Sequence, residues 1–62
     1  MKEYRIYKAN AFDEKHQFIP ANKLNWKPTT IVYDDRDDAL VKYFDMQTND
    51  NENYYTIIEE TR

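Results

Sequence analysis

The absence of cysteine from a chain of only 62 residues is the feature that most narrows its choice of folds. Without disulfides or thiolate zinc sites, packing alone must stabilise the fold, and a chain of this size buries only about 60% of its unfolded surface. Six Tyr, three Phe and one Trp can fill a small core efficiently. We therefore expect a single domain over residues 1–62, too small for a large substrate cavity, which could gain further stability by forming a homodimer.

Glycine is missing as well, so left-handed turn positions are expected to fall to Asn or Asp. A glycine-rich phosphate loop is excluded for the same reason. No stretch approaches the roughly 20 apolar residues of a membrane span, and we expect a cytoplasmic protein that does not associate with membranes. The abundance of Asn, Lys, Ile and Tyr indicates an AT-rich coding sequence, as in low-GC bacteria and their mobile elements.

Hydrophobic periodicity predicts four strands and one helix. Period-two alternation favours a strand over residues 2–9, and residues 16–19, which end at Pro20, are a short second strand candidate. The β-branched and aromatic run at residues 29–33 predicts a third strand, expected to be central, and residues 53–60 predict the last. A helix is expected over residues 35–46. The order β-β-β-α-β predicts a small two-layer α+β fold, with one helix packed on a mainly antiparallel sheet.

Charge is divided unevenly along the chain. Residues 1–31 carry six basic and three acidic side chains, whereas residues 32–62 carry three basic and nine acidic ones. The isoelectric point near 4.9 argues against a large phosphate-binding footprint. A polarised surface of this kind favours steering towards a charged partner.

Four aspartates surround Arg36 at the predicted helix start, in the sequence DDRDDALVKYFD. Asp34 or Asp35 is suited to cap the helix, and further aspartates in the first turn interact favourably with the helix dipole. A hard cation needs carboxylates that converge on one point, whereas consecutive helical residues diverge. Catalytic carboxylate pairs need a cleft that separates their pKa values. We therefore predict no metal site, no cofactor and no acid-base pair here.

A helical projection divides this segment into two sides. The predicted core side consists of Ala39, Leu40, Tyr43 and Phe44. The opposite side carries Asp34, Asp38, Val41 and Asp45, and the following loop adds Asp50 and Glu52. Ordinary solvated helices also carry acidic faces. Our functional interpretation is an acidic surface, centred on an apolar residue, that binds a basic protein partner.

Trp26 lies between Lys23 and Lys27 in a segment bracketed by prolines. A tryptophan in a loop commonly folds back over a small core. If exposed, it would serve as an anchor for a protein partner or as a stacking platform for a nucleic-acid base beside the two lysines. We include Trp26 among the candidate partner-binding residues.

No nucleophile and base can be assigned, because His16 is the only histidine and no Ser or Cys can be tied to it. The sequence therefore predicts a non-catalytic protein-binding module, such as a small accessory protein of a phage or other mobile element. It would dock its acidic helix face on a basic partner, including one that binds nucleic acid, and inhibit or modulate it. The alternative is a single-stranded nucleic-acid binder that uses Trp26 and the basic N-terminal half.

Overall fold

The computed structural model describes residues 1–61, in which one α-helix packs against a three-stranded antiparallel sheet. The elements are β1 (Lys2–Asn10), β2 (Lys27–Tyr33), α1 (Arg36–Asn49) and β3 (Asn53–Thr61). The spatial order of the strands is β2-β1-β3. This confirms the predicted α+β class with one helix on an antiparallel sheet. The predicted second strand is represented by an isolated antiparallel bridge between Phe12 and Phe18, and the order β-β-β-α-β holds when this bridge is counted.

The pairing of β1 with β3 forms the regular part of the sheet. Nine consecutive residue pairs run from Lys2–Thr61 to Asn10–Asn53 without a register shift. Ile6 is paired with Ile57, and Tyr55 lies two residues before Ile57, so these three side chains share the face that α1 covers. The buried apolar core within residues 1–61 consists of Ile6, Ala9, Ala11, Ala39 and Tyr55. Three of these five are alanines, so the core is thin.

The pairing of β1 with β2 is interrupted by a bulge. Arg5 is paired with Val32 and Tyr7 with Pro28, so β2 has extra residues opposite Ile6. The Thr29 hydroxyl donates to the Ile6 carbonyl oxygen at 2.7 Å, which holds the bulged backbone against β1. The expectation that this strand is central was wrong, because β1 pairs on both sides and leaves β2 at an edge. An edge position tolerates the proline, which lacks an N–H donor.

The connection from β1 to β2 begins with a tight polar turn. Asp13 Oδ1 accepts from the backbone N–H of Lys15 at 2.8 Å and of Gln17 at 3.0 Å. His16 has a φ of 59°, the one positive value among the non-glycine residues that the structure describes. The expectation that Asn or Asp would fill such positions was therefore wrong. Histidine also populates this region, and the bonds to Asp13 hold the turn in place.

The start of α1 agrees with the prediction. Asp35 is the N-cap, and its Oδ1 accepts from the backbone N–H of Asp37 at 2.8 Å. The expected range of the helix was too short, since α1 continues three residues beyond Met46 to Asn49. The helix is longer because the side chain of Gln47 forms hydrogen bonds with the backbone of β3, and these bonds stabilise the polar last turn of α1.

The molecule leaves much of its surface exposed. Its principal extents are 41 × 22 × 16 Å, and its accessible surface is 4901 Å². A compact monomer of 7.6 kDa is expected to expose about 4,300 Å². Within residues 1–61, no helix has the length and apolar character required to cross a membrane.

Candidate functional site

The side of α1 that points away from the sheet carries two exposed apolar side chains. Val41 is 71% exposed and Phe44 is 63% exposed. They lie three residues apart, so they are neighbours on the helix surface. The ring of Phe44 contacts the ring of Tyr43 edge-on, with 5.4 Å between centroids. This contact orients Phe44 while leaving most of its surface open to solvent.

The prediction that Phe44 enters the core was wrong. The helix turns Ala39, which is fully buried, and the half-buried Tyr43 and Gln47 towards the sheet. These residues are spaced by four, and the stripe that they define excludes Phe44. Phe44 therefore joins the solvent side together with Val41. The sequence assigned only one apolar residue to that side.

Carboxylates surround these two apolar side chains. We define the outer face of α1 as the exposed side chains that project away from the stripe of Ala39 and Tyr43, which are Asp34, Asp37, Asp38, Val41, Phe44 and Asp45. Four of the six are acidic, while Arg36, which is also exposed, lines a crevice with Leu40 and Tyr43 on the side towards the sheet. The sequence-predicted residues Asp34, Asp38, Val41 and Asp45 are thus all exposed, as the interpretation requires.

The acidic side chains of the outer face have few internal partners. Asp45 Oδ2 lies 4.0 Å from Lys42 Nζ, and its Oδ1 accepts from Asn49 Nδ2 at 3.2 Å. Asp34 and Asp38 form no ion pair within residues 1–61. Their charges are therefore available to an external partner. Among the described residues, no three His, Asp or Glu side chains are grouped so as to hold a metal ion.

Asp50 differs from the other candidate aspartates because both of its oxygens accept short hydrogen bonds. Oδ2 accepts from the hydroxyl of Tyr55 at 2.7 Å and from Asn53 Nδ2 at 2.9 Å. Oδ1 accepts from the backbone N–H of Glu52 at 2.9 Å. These bonds, above all that from Tyr55, lower the pKa of Asp50 to about 2. Burial and the bond to Asp50 raise the pKa of Tyr55 to about 12.

Gln47 completes this junction between α1 and β3. Its Nε2 donates to the carbonyl oxygens of Asp50 at 3.1 Å and Asn53 at 2.9 Å, and its Oε1 accepts from the Tyr55 N–H at 2.9 Å. The side-chain amide therefore replaces a neighbouring strand at the start of β3. We call the group Gln47, Asp50, Asn53 and Tyr55 the junction. Sequence reasoning missed Gln47, because nothing in the polar run QTNDNEN distinguishes it from its neighbours.

Glu52 and Trp26 complete the predicted partner-binding set. Glu52 is exposed, and its backbone carbonyl oxygen accepts from the N–H of Ala11 at 3.1 Å. Trp26 is half-buried and lines a crevice of about 330 Å³ together with Leu24, Tyr43 and Tyr54. This position is the one expected of a tryptophan that folds back over a small core. It places Trp26 on a different part of the surface from the outer face.

A polar cluster joins all three strands on the other side of the sheet. Arg5 Nε donates to Glu60 Oε1 at 2.8 Å, and Arg5 Nη1 donates to the carbonyl oxygen of Thr29 at 2.7 Å. The Tyr7 hydroxyl donates to Glu60 Oε2 at 2.9 Å. The bonds from Arg5 and Tyr7 lower the pKa of Glu60, while the bond to Glu60 raises the pKa of Tyr7. We interpret the cluster as structural, because its charged groups are matched with one another.

The chain was also compared with known proteins. No protein-family model, no curated protein and no solved structure matches it. The candidate site is therefore defined by its own residues and their geometry.

Proposed function

We propose that the protein is a non-catalytic binding module that docks the outer face of α1 on a basic, apolar-lined surface of a protein partner and thereby modulates that partner. The observation that carries the proposal is the exposure of Phe44 and Val41 within a group of four carboxylates. A large aromatic side chain left in water gains free energy when a partner buries it. The helix presents it on a rigid element, which lowers the entropy cost of binding.

The charges of the outer face determine which partner surface fits. The carboxylates would be repelled by an acidic surface and attracted by a basic one, so they contribute selectivity and a faster association rate. Val41 and Phe44 require an apolar contact at the centre of that surface. A groove lined by Lys or Arg around an apolar floor meets both requirements. Surfaces that normally contact nucleic acid belong to this class, since they are basic.

Direct binding of single-stranded nucleic acid has less support. Its main candidate residue, Trp26, is half-buried in a crevice beside Tyr43 rather than presented to solvent. The tyrosines of β1 and β3 do not form one stacking platform either. Tyr55 is buried, and the hydroxyl of Tyr7 is bonded to Glu60.

The test compares two phenylalanines of similar exposure. Phe44 on α1 is 63% exposed and Phe18 in the β1–β2 connection is 70% exposed. The wild-type protein, Phe44→Ser and Phe18→Ser would each be immobilised, and proteins captured from a cell extract would be identified by mass spectrometry. The affinity of the purified partner for each variant would then be measured by titration calorimetry.

Loss of a central anchor typically costs about 2 kcal/mol or more, which is about 30-fold in affinity. We expect Phe44→Ser to weaken binding by this amount and Phe18→Ser to leave it within about threefold. The captured partner is expected to have a basic contact surface, and its binding to weaken as salt is raised. Equal effects of the two substitutions, or salt-insensitive binding to an acidic surface, would contradict the proposal.

A further inference from the structure

Three of the nine basic residues, none of them used by the proposed function, line one cleft. It lies beside the end of β1 and the start of β2 and has a volume of about 350 Å³. We call it the lysine cleft, and its polar lining consists of Lys8, Asn10, Lys23, Asn25, Lys27 and Thr29. Its volume lies within the range of small-ligand pockets, which begins at about 300 Å³.

The arrangement of the three lysines is unfavourable without a counter-charge. Lys8 and Lys27 are directly paired across β1 and β2, and like charges in this position destabilise a sheet. Among residues 1–61, no carboxylate lines the cleft. The ion pairs within residues 1–61 use Lys2, Arg5 and Lys42, so the three cleft lysines have no acidic partner there.

The backbone around the cleft is held by specific bonds. The Thr29 hydroxyl donates to the Ile6 carbonyl oxygen, and the Thr29 carbonyl oxygen accepts from Arg5 Nη1. Lys23 ends a short 3-10 turn, and its N–H donates to the Pro20 carbonyl oxygen at 2.8 Å. The three lysines are therefore attached to ordered backbone around the cleft.

We propose that the lysine cleft binds a small phosphate-bearing ligand with two or more negative charges, such as a pyrophosphate group or a nucleoside diphosphate. Lysine ammonium groups bind phosphate oxygens as point charges, and the Asn10 and Asn25 side chains offer amide donors. Binding of such an anion would also remove the repulsion between Lys8 and Lys27. This inference uses none of the residues of the outer face and so stands apart from the proposed function.

The surroundings of the cleft favour a small anion over a polynucleotide. Lys8 also borders a neighbouring cavity that is lined by the acidic residues Asp13 and Glu52. A long phosphodiester chain leaving the lysine cleft would pass near these carboxylates and the acidic surface of a molecule with a net charge of −3. A compact ligand would contact the lining of the lysine cleft without reaching these carboxylates.

The experiment is a titration of ¹⁵N-labelled protein with sodium pyrophosphate at constant ionic strength. We expect amide shifts confined to residues 8–10 and 23–29 and a rise in melting temperature on binding. Parallel titrations with a nucleoside diphosphate and with a short oligodeoxynucleotide distinguish the possible sources of phosphate. Tighter binding of the oligonucleotide than of both small ligands would overturn the assignment to a small ligand.

Matched charge-removing variants separate the cleft from general electrostatics. Lys8→Gln and Lys27→Gln each remove one cleft charge, whereas Lys15→Gln removes an exposed charge that lies outside the cleft lining. We expect each cleft variant to weaken pyrophosphate binding about tenfold, as for loss of one bond to a charged group, and Lys15→Gln to change it less than twofold.

Folding of the cleft variants is checked without ligand. Because removal of one charge relieves the repulsion between Lys8 and Lys27, Lys27→Gln should melt at the wild-type temperature or above it. Shifts spread over all lysines, equal weakening in the three variants, or equal binding of sulfate and pyrophosphate would overturn the proposal.

Discussion

The junction and the outer face of α1 both contain aspartates and lie on the same helix and its immediate continuation, yet these aspartates have different surroundings. Both oxygens of Asp50 accept hydrogen bonds, and its pKa falls to about 2. Asp34 and Asp38 have no ion-pair partner within residues 1–61. The difference arises because the end of α1 lies beside the edge of β3, which supplies donors. A cluster of aspartates in a sequence can thus contain structural and interaction residues side by side.

The largest effect on stability is expected at the junction. Tyr55→Phe removes the hydroxyl that donates to Asp50 in a mostly buried position, a bond to a charged group worth about 1.5 kcal/mol. In a domain of this size the melting temperature should fall by about 6–12 °C, as measured by circular dichroism. Tyr54→Phe is the control, because Tyr54 is 37% exposed, and it should change stability by less than about 0.5 kcal/mol. Equal melting temperatures of the two variants would show that the bond from Tyr55 to Asp50 does not stabilise the fold.

The pH dependence of stability tests the distinct role of Asp50 in the junction. The pKa of Asp50 is about 2 in the fold against 3.8 for a free carboxyl, so its contribution is present above pH 4 and lost as the pH falls towards 2. Asp50→Asn should flatten this acid limb in urea unfolding curves. At the alkaline end, the raised pKa of Tyr55 makes stability fall between pH 10 and 12. An identical acid limb in wild type and Asp50→Asn would contradict this role.

Gln47 is expected to matter less than Tyr55, since water can reach part of the β3 edge when its side chain is removed. Gln47→Ala loses the bonds to the Asn53 carbonyl oxygen and the Tyr55 N–H and should cost about 1 kcal/mol. Thr48→Ala, one residue later on the exposed side, should be neutral or slightly stabilising because alanine favours helix. Hydrogen exchange at the start of β3 should accelerate in Gln47→Ala alone. Unchanged exchange there would contradict the role of Gln47 in holding the start of β3.

The smallest effects on stability are expected on the outer face. Val41→Ser and Phe44→Ser alter side chains that are mostly in water, so each should change the free energy of unfolding by less than about 0.5 kcal/mol beyond its helix propensity. The same substitutions should abolish most partner binding. A large loss of stability in Phe44→Ser would show that this side chain packs in the core. The outer face would then have a structural role.

The sequence was sufficient for the class of fold and for the start of the helix. Alternation identified β1, and the aspartates limited the N-cap to Asp34 or Asp35, because these signals depend on neighbouring residues. It failed at Phe44, since Leu40 and Phe44 form as plausible a buried stripe as Ala39 and Tyr43. The choice between them depends on how α1 is rotated over the sheet, which is a tertiary property.

The remaining features depend on contacts between distant segments. The bonds from Gln47 to β3 can form only if the turn after α1 has the right length. The polar residues of that turn do not predict its length. The lysine cleft depends on the register that pairs Lys8 with Lys27 across a bulge in β2. A sequence reader sees only six basic residues in the first 31. Trp26 could be assigned to two roles from its neighbours, and only its burial favours the structural one.

The most direct test of the outer face is the dissociation constant of the partner complex after matched charge reversals. The variant Asp38→Lys with Asp45→Lys reverses two charges on the face, and Glu14→Lys with Glu59→Lys reverses two exposed charges elsewhere. The proposed docking predicts at least tenfold weaker binding for the first variant and less than threefold change for the second. Equal changes in both variants would mean that binding follows net charge alone, and would contradict a specific role for the outer face.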